Sequence, residues 1–270
     1  MKPRLLDLYC GGGGASMGYH LAGFEVVGVD RSPQPHYPFE FHQADARDYP
    51  LDGFDAIHAS PPCQPFSMCN NMHSKCYDDL DMLEEIRNRL MEWADGNGYP
   101  WVIENVPGAP LWQPIMLCGA MFGLRVYRHR HFESNALILP PEHPKHVARA
   151  GYGYKPPADG FYTVSGHYAD HQGASQAMGI DWMNRKELAQ AIPPAYTHWI
   201  GAQLMGLLAP AEATPLAWRC GACGEAFFEP PWNGNHCPRC DSTHTKRTDW
   251  LTATERSMQA AEAEKEGEAQ

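Results

Sequence analysis

Short apolar runs recur through the first part of the chain, each ending in small or polar residues. Residues 4–9 (RLLDLY), 24–30 (FEVVGVD), 53–60 (GFDAIHAS) and 100–106 (PWVIENV) are near-continuous hydrophobic stretches of strand length. Runs of this kind suit strands of a parallel sheet buried on both faces. Between them the spacing changes. ASMGYHLAGF at 15–24 has a helical period, and residues 78–95 (DDLDMLEEIRNRLMEWAD) form an amphipathic helix with acids in its first turn. Alternating strands and helices predict an α/β fold with a doubly wound, mostly parallel sheet. Further on, residues 122–133 (FGLRVYRHRHFE) read as a strand hairpin, and 140–184, rich in Pro, Gly, His and Tyr, as loops and short strands. Residues 185–208 read as two helices separated by a break at Pro193-Pro194. No internal repeat is visible.

In an open α/β sheet, ligands bind at the carboxyl ends of the strands. The residues to inspect there are Gly11 to Gly14, Asp30, Cys63 and Glu104. The run of four glycines lies between a strand and a helix. It allows positive φ and close backbone approach to a ligand, and the helix N-terminus behind it can receive a carboxylate. Asp30 ends the second strand, where an acid commonly binds a pair of ribose hydroxyls. Asp45, in HQADARDY, lies where it could reach an adenine edge. A dinucleotide enzyme would show similar logic, and a merely tight turn would also explain the glycines. Cys63 sits among Pro61, Pro62 and Pro65, which hold it rigidly in a polar loop. A lone cysteine is commonly a small buried hydrophobe. A cysteine and Glu104 on neighbouring strand ends, however, suit attack on an electron-poor ring: the thiolate adds to carbon and the acid handles charge on a ring nitrogen.

Taken in order, these segments resemble the cytosine-5 DNA methyltransferase family. DLYCGGGG (7–14) resembles its cofactor motif, SPPCQPFS (60–67) its catalytic loop, and ENV (104–106) its catalytic-glutamate motif. Arg128-His-Arg130 resembles the arginine pair of its eighth motif, and QAIPPAYTHWIG (190–201) the last motif, which completes the cofactor pocket. The match spans residues 4–208. It implies a Rossmann-like methyltransferase fold and transfer of a methyl group from S-adenosylmethionine to carbon 5 of a flipped cytosine, through a covalent Cys63 adduct. Glu104, Arg128 and Arg130 would complete the catalytic set. Asp7, Tyr9, Cys10, Gly11, Gly12, Gly13, Asp30, Arg31, Asp45, Ala46, Pro61 and Ile192 would line the cofactor pocket. Three departures stand out. Val126 replaces a glutamine, Ala189 to Ile192 replace a Gly-Asn pair, and only residues 134–184 are available for target recognition. Tyr152, Tyr154, His167 and Tyr168 are the aromatic candidates there, with loop packing the plainer role for each.

Near the C-terminus, Cys220-Gly-Ala-Cys223 and Cys237-Pro-Arg-Cys240 are separated by 13 residues. Two CxxC knuckles at this spacing predict a closed, structural zinc ribbon over 216–250, with His236 and His244 nearby. The organisation expected is a catalytic and cofactor-binding core (1–133), a short recognition region (134–184), helices completing the core (185–210), the ribbon, and a disordered Ala/Glu-rich tail (251–270).

Charge adds a constraint. The net charge of −11 excludes a generic nucleic-acid coat protein. Residues 1–119 hold 7 Lys/Arg against 16 Asp/Glu, whereas 120–250 hold 12 against 11, so any contact with a polyanion is expected mostly in the middle of the chain, with ordinary solvated charges the plainer reading of the same count. No apolar run reaches membrane-spanning length. The expectation is a monomer in the cytoplasm of a bacterial or phage-infected cell, acting on double-stranded DNA and making no membrane contact. An RNA methyltransferase and a non-catalytic DNA-binding relative are the alternatives.

Overall fold

The computed structural model describes residues 2–63, 77–96, 98–147, 150–151 and 154–209, with the side chains of 77–81 left out. Beyond 209 it describes only the strand backbones of 218–220, 226–227 and 245–247. Two compact units divide the chain, Met1–Leu208 and Ala209–Gln270.

The first unit is built on a seven-stranded sheet. β1 (Arg4–Leu8) lies between β2 (Glu25–Asp30) and β4 (Ala56–Ala59), with β3 (Glu40–Gln43) outside β2 and β5 (Trp101–Asn105) outside β4. These five strands are parallel. β7 (Arg130–Ser134) then pairs antiparallel with β5, and β6 (Ile115–Leu117) pairs antiparallel with β7 at the edge. The chain winds outward from β1 to β3 and then crosses back to β4. The gap between the carboxyl ends of β1 and β4 is therefore the topological switch point, where a ligand crevice forms.

Both faces of the sheet are covered, as near-continuous apolar strands require. On one face Leu5, Val26, Ala56 and Val102 pack with Tyr19 of α1 (Gly14–Ala22) and with Tyr196, Ile200 and Leu204 of α5 (Pro194–Leu208). On the other, Leu6, Leu8, Val27, Ile57 and Ile103 pack with Leu83, Ile86 and Leu90 of α2 (Tyr77–Ala94). Leu83, Ile86 and Leu90 recur at helical spacing, so one stripe of α2 faces the sheet.

α1 and α5 approach closely because small residues face each other. A Cβ on Gly18 would lie 2.0 Å from Thr197 Oγ1 and 2.2 Å from the Pro194 carbonyl. A Cβ on Gly14 would lie 2.4 Å from the Ile192 carbonyl. Thr197 Oγ1 donates to the Ala15 carbonyl at 2.8 Å across this seam.

Two predicted elements differ from the structure. The hairpin placed at 122–133 is formed instead by β6 and β7, with a 3-10 turn at Gly119–Phe122 between them. Gly123, at φ 69, ends that turn, and Val126 makes only an isolated bridge to Tyr162. Residues 140–184 also contain a helix, α3 (His171–Met178), whose first turn is capped by Asp170 accepting from the Gly173 N–H. Tyr162, Val164, Tyr168 and Met178 of this region form a small core of their own with Val126. β8 (Ala150–Gly151) and β9 (Phe161–Tyr162) are its strands, and α4 (Arg185–Gln190) follows it.

In the second unit, β10 (Trp218–Cys220) pairs antiparallel with β11 (Ala226–Phe227) and β12 (Thr245–Arg247). Cys220 ends β10. Cys223, Cys237 and Cys240 lie outside the described residues, as does the tail from 251.

Candidate active site

The glycine turn leaves β1 with Tyr9 (φ 60), Gly11 (φ 50) and Gly13 (φ 84) in the left-handed region, which only glycine adopts cheaply. A Cβ on Gly11 would meet nothing within 4 Å, so open space lies above the turn. Gly13 caps α1 without any side-chain hydrogen bond, leaving the helix N-terminus available to an anion. Asp30 ends β2 beside it and accepts from the Gly11 N–H at 3.1 Å and the Ser32 N–H at 2.8 Å. Each carboxylate oxygen keeps a lone pair. Trp182 Nε1 donates to the Gly12 carbonyl at 2.9 Å, and Met183 fills the space beside Gly12.

Beneath the turn, Asp7 is fully buried. Ser16 Oγ donates to its Oδ2, while Oδ1 has no partner. Burial pushes this carboxyl up to about 7 against the pull of Ser16, with the charges of Asp30 and Glu104 adding to the rise. The Tyr9 hydroxyl is likewise buried and unpartnered. Cys10 is buried, and its N–H donates to the Val29 carbonyl. Asp45 is bound on both oxygens by Arg47, with Nη2 to Oδ2 at 2.6 Å. That pairing holds its carboxyl down at about 2. Arg31 is exposed, Ala46 and Pro61 are buried, and Ile192 packs its backbone on Gly14.

Four residues past β4 lies Cys63, half-buried. Asn105, at the end of β5, donates to the Pro61 carbonyl at 3.2 Å and fixes the loop that carries it. Glu104 is buried one residue earlier. Arg130, the first residue of β7, donates from Nε to Glu104 Oε1 at 3.0 Å. Antiparallel pairing of β5 with β7 is what brings the two together. Burial raises the Glu104 carboxyl against the pull of Arg130 and of a Ser60 hydrogen bond. The Cys63 thiol is raised by burial first and by Glu104 second, and is pulled back by Arg130 and Arg128. Arg128, at φ 28, donates from Nη2 to the Ala189 carbonyl at 2.9 Å and from Nη1 to Val164. Its Nε has no partner, and burial beside Arg130 pushes the guanidinium down to about 9.

The sequence reading missed the support behind this cluster. His58 is buried on β4, with Nδ1 at 3.0 Å from the Tyr19 hydroxyl and Nε2 at 2.9 Å from Ser60 Oγ. Desolvation takes it down to about 3, so it is neutral. A chain of hydrogen bonds thus runs from α1 through His58 and Ser60 to Glu104. The only sequence signal was polar residues at 58 and 60 in an otherwise apolar strand. Of the aromatic candidates between 134 and 184, Tyr168 is buried with its hydroxyl against His171, which makes it a packing residue. Tyr154 and His167 are exposed, and Tyr152 lies outside the described residues. Among the described residues no helix is long and apolar enough to cross a membrane.

No protein-family model matches the chain, and no curated protein sequence matches it. Solved structures do. A protein encoded within an E. coli prophage and assigned as a DNA modification methyltransferase superposes with a TM-score of 0.57 at 14% identity, covering 77% of this chain and 100% of the other. The S. pombe Dnmt2 methyltransferase superposes with a TM-score of 0.50 at 15% identity, covering 78% of this chain and 100% of its own. At such identities the likeness shows the fold, which is the Rossmann-like fold of these methyltransferases.

Proposed function

We propose that this chain is a DNA cytosine-5 methyltransferase that uses S-adenosylmethionine, with Cys63 as its nucleophile. The observation that carries the reading is the convergence of Cys63, Glu104 and Arg130 from the ends of β4, β5 and β7 beside the switch point. Both structural neighbours are named as methyltransferases, one of them for DNA modification, which supports the methyl-transfer part of the reading.

The glycine turn fits the cofactor. It offers open space at Gly11, an uncapped helix N-terminus for the carboxylate, and Asp30 for the ribose hydroxyls. Asp45, Ala46, Pro61 and Ile192 would border the rest. When bound, the cofactor supplies an electrophilic methyl group. The protein's own task is to make carbon 5 of cytosine nucleophilic. The Cys63 thiol releases its proton to solvent as its sulfur bonds to carbon 6 of a base flipped from the duplex, and Glu104 in its protonated form donates to ring N3. Burial of Glu104 favours that form. A neutral Glu104 also removes the second of the two influences that raise the Cys63 thiol, leaving burial against the pull of Arg130 and Arg128. Arg130 holds Glu104 in place. After methylation, loss of the carbon 5 proton and of the Cys63 sulfur restores the ring. The four cysteines Cys220, Cys223, Cys237 and Cys240 belong to the same proposal as a structural zinc ribbon.

The test is transfer of labelled methyl from S-adenosylmethionine to duplex DNA and to RNA, with trapping on 5-fluorocytosine DNA. Label in DNA and a covalent adduct that vanishes in Cys63→Ser are expected. Label confined to RNA would replace the DNA substrate. An adduct that persists in Cys63→Ser, or no transfer at all, would overturn the reading.

A further inference from the structure

Four side chains unused by that chemistry converge around the β6–β7 connection. Cys118 follows β6, His129 precedes β7, and His143 and His146 lie in the segment after β7. One ligand atom from each lies within 4.8 Å of all the others. His129 Nε2 and His143 Nε2 are 3.3 Å apart, and Cys118 Sγ and His146 Nε2 are 3.4 Å apart. With zinc–nitrogen bonds of about 2.0–2.1 Å and zinc–sulfur bonds of about 2.3 Å, the edges of a tetrahedron are about 3.3 Å for N···N and about 3.5 Å for S···N. The His129–His143 and Cys118–His146 separations both lie close to these edges. Ring packing alone does not require four ligand atoms to gather within 4.8 Å of one another. The surroundings also hold the rings in place: Tyr127 stacks on His146 at 3.6 Å and on Phe161 at 4.2 Å.

We propose that Cys118, His129, His143 and His146 form a closed zinc site. One thiolate and three imidazoles suit zinc, and the lack of any oxygen donor in the set excludes calcium and magnesium. Four protein ligands leave no open position, so the ion is structural. It ties the 143–146 segment to both ends of the β6–β7 connection. His129 stands between Arg128 and Arg130, so the ion fixes the turn that aims Arg130 at Glu104.

The experiment is zinc content per chain on the full protein purified without chelator, for the wild type, Cys118→Ser, His146→Ala, and Cys237→Ser/Cys240→Ser. His146 is exposed, so its removal leaves the core intact. Cys118→Ser and His146→Ala are each expected to lose one zinc equivalent. Cys237→Ser/Cys240→Ser should keep that equivalent, which separates this site from the ribbon. In the Cys237→Ser/Cys240→Ser chain, cobalt substitution should give a tetrahedral visible spectrum whose thiolate charge-transfer band disappears when Cys118→Ser is added. Wild-type zinc content in both Cys118→Ser and His146→Ala would overturn the site, as would a cobalt spectrum that Cys118→Ser leaves unchanged.

Discussion

Replacing Gly18 by alanine tests the α1–α5 seam directly. The new Cβ would stand 2.0 Å from Thr197 Oγ1, 2.2 Å from the Pro194 carbonyl and 2.6 Å from the His198 nitrogen. The first of these is roughly 1.5 Å short of an optimal contact. Two of the three obstacles are backbone, and the third is anchored to the Ala15 carbonyl, so no side chain can swing aside. Overpacking of this kind costs about 1–3 kcal/mol, and loss of the Thr197 hydrogen bond adds about 1 kcal/mol. Better helix propensity returns at most about 1 kcal/mol. The expected net loss is roughly 1–3 kcal/mol. Gly206→Ala in α5 is the matched control: nothing lies within 4 Å of its Cβ, so propensity alone acts and stability rises by about 0.5–1 kcal/mol. Urea midpoints followed by tryptophan fluorescence measure both, with an unchanged slope as the check on a common unfolding reaction. If Gly18→Ala unfolds within about 0.5 kcal/mol of the wild type, the seam is not as tight as argued. Because Ile192 meets Gly14 in the same seam, the proposed cofactor site predicts that a loosened Gly18→Ala chain binds S-adenosylmethionine more weakly than the wild type by calorimetry.

Two further outcomes follow from buried charges. Arg87 holds Glu133 by two hydrogen bonds of 2.7 and 2.9 Å, with side chains only 4% and 2% exposed, and stacks on Trp112. Arg87→Met strands a buried carboxylate and should cost about 3–5 kcal/mol, whereas Arg87→Met/Glu133→Leu should recover most of it; additive losses in a double-mutant cycle would sink this. Asp7 titrates at about 7 when folded against an ordinary 3.8, so between those values the folded state binds the extra proton. Stability from this group is therefore full below about pH 4 and lost as pH rises through 7. Asp7→Asn should flatten that slope in urea melts across the window, and an unchanged slope would assign it elsewhere.

The parts legible in the sequence are those whose chemistry is carried by contiguous residues. The turn after β1, the loop of Cys63 and the end of β5 each announce themselves because strand, breaker and polar group follow one another along the chain. Antiparallel pairing hides more. Arg130 meets Glu104 only through the register of β5 with β7, and no local pattern gives that register. The set of Cys118, His129, His143 and His146 is spaced too irregularly to read as a motif, and the β6–β7 hairpin that gathers it was misplaced. β6 was lost because three residues are too few to show a period. α3 was lost because it is only eight residues long, its buried stripe of Ala174, Ala177 and Met178 is mostly small side chains, and Asp170 caps it from a left-handed conformation. His58 shows a different limit: a polar residue in an apolar strand signals that a partner exists, but not that the partner is Tyr19 on one side and Ser60 on the other.

The contact between α1 and α5 also sets the order in which the molecule can assemble. Tyr19 and Phe24 are covered by residues nearly two hundred positions later in the chain. At about 5–20 residues per second, a ribosome takes roughly ten to forty seconds to supply them. During that interval the first sheet strands and α1 are made but their shared apolar face lacks the cover of α5. Closing so long a loop is slow in itself. The nascent chain therefore carries an exposed hydrophobic surface late into synthesis and should depend on chaperones, more than its size alone suggests, until α5 docks.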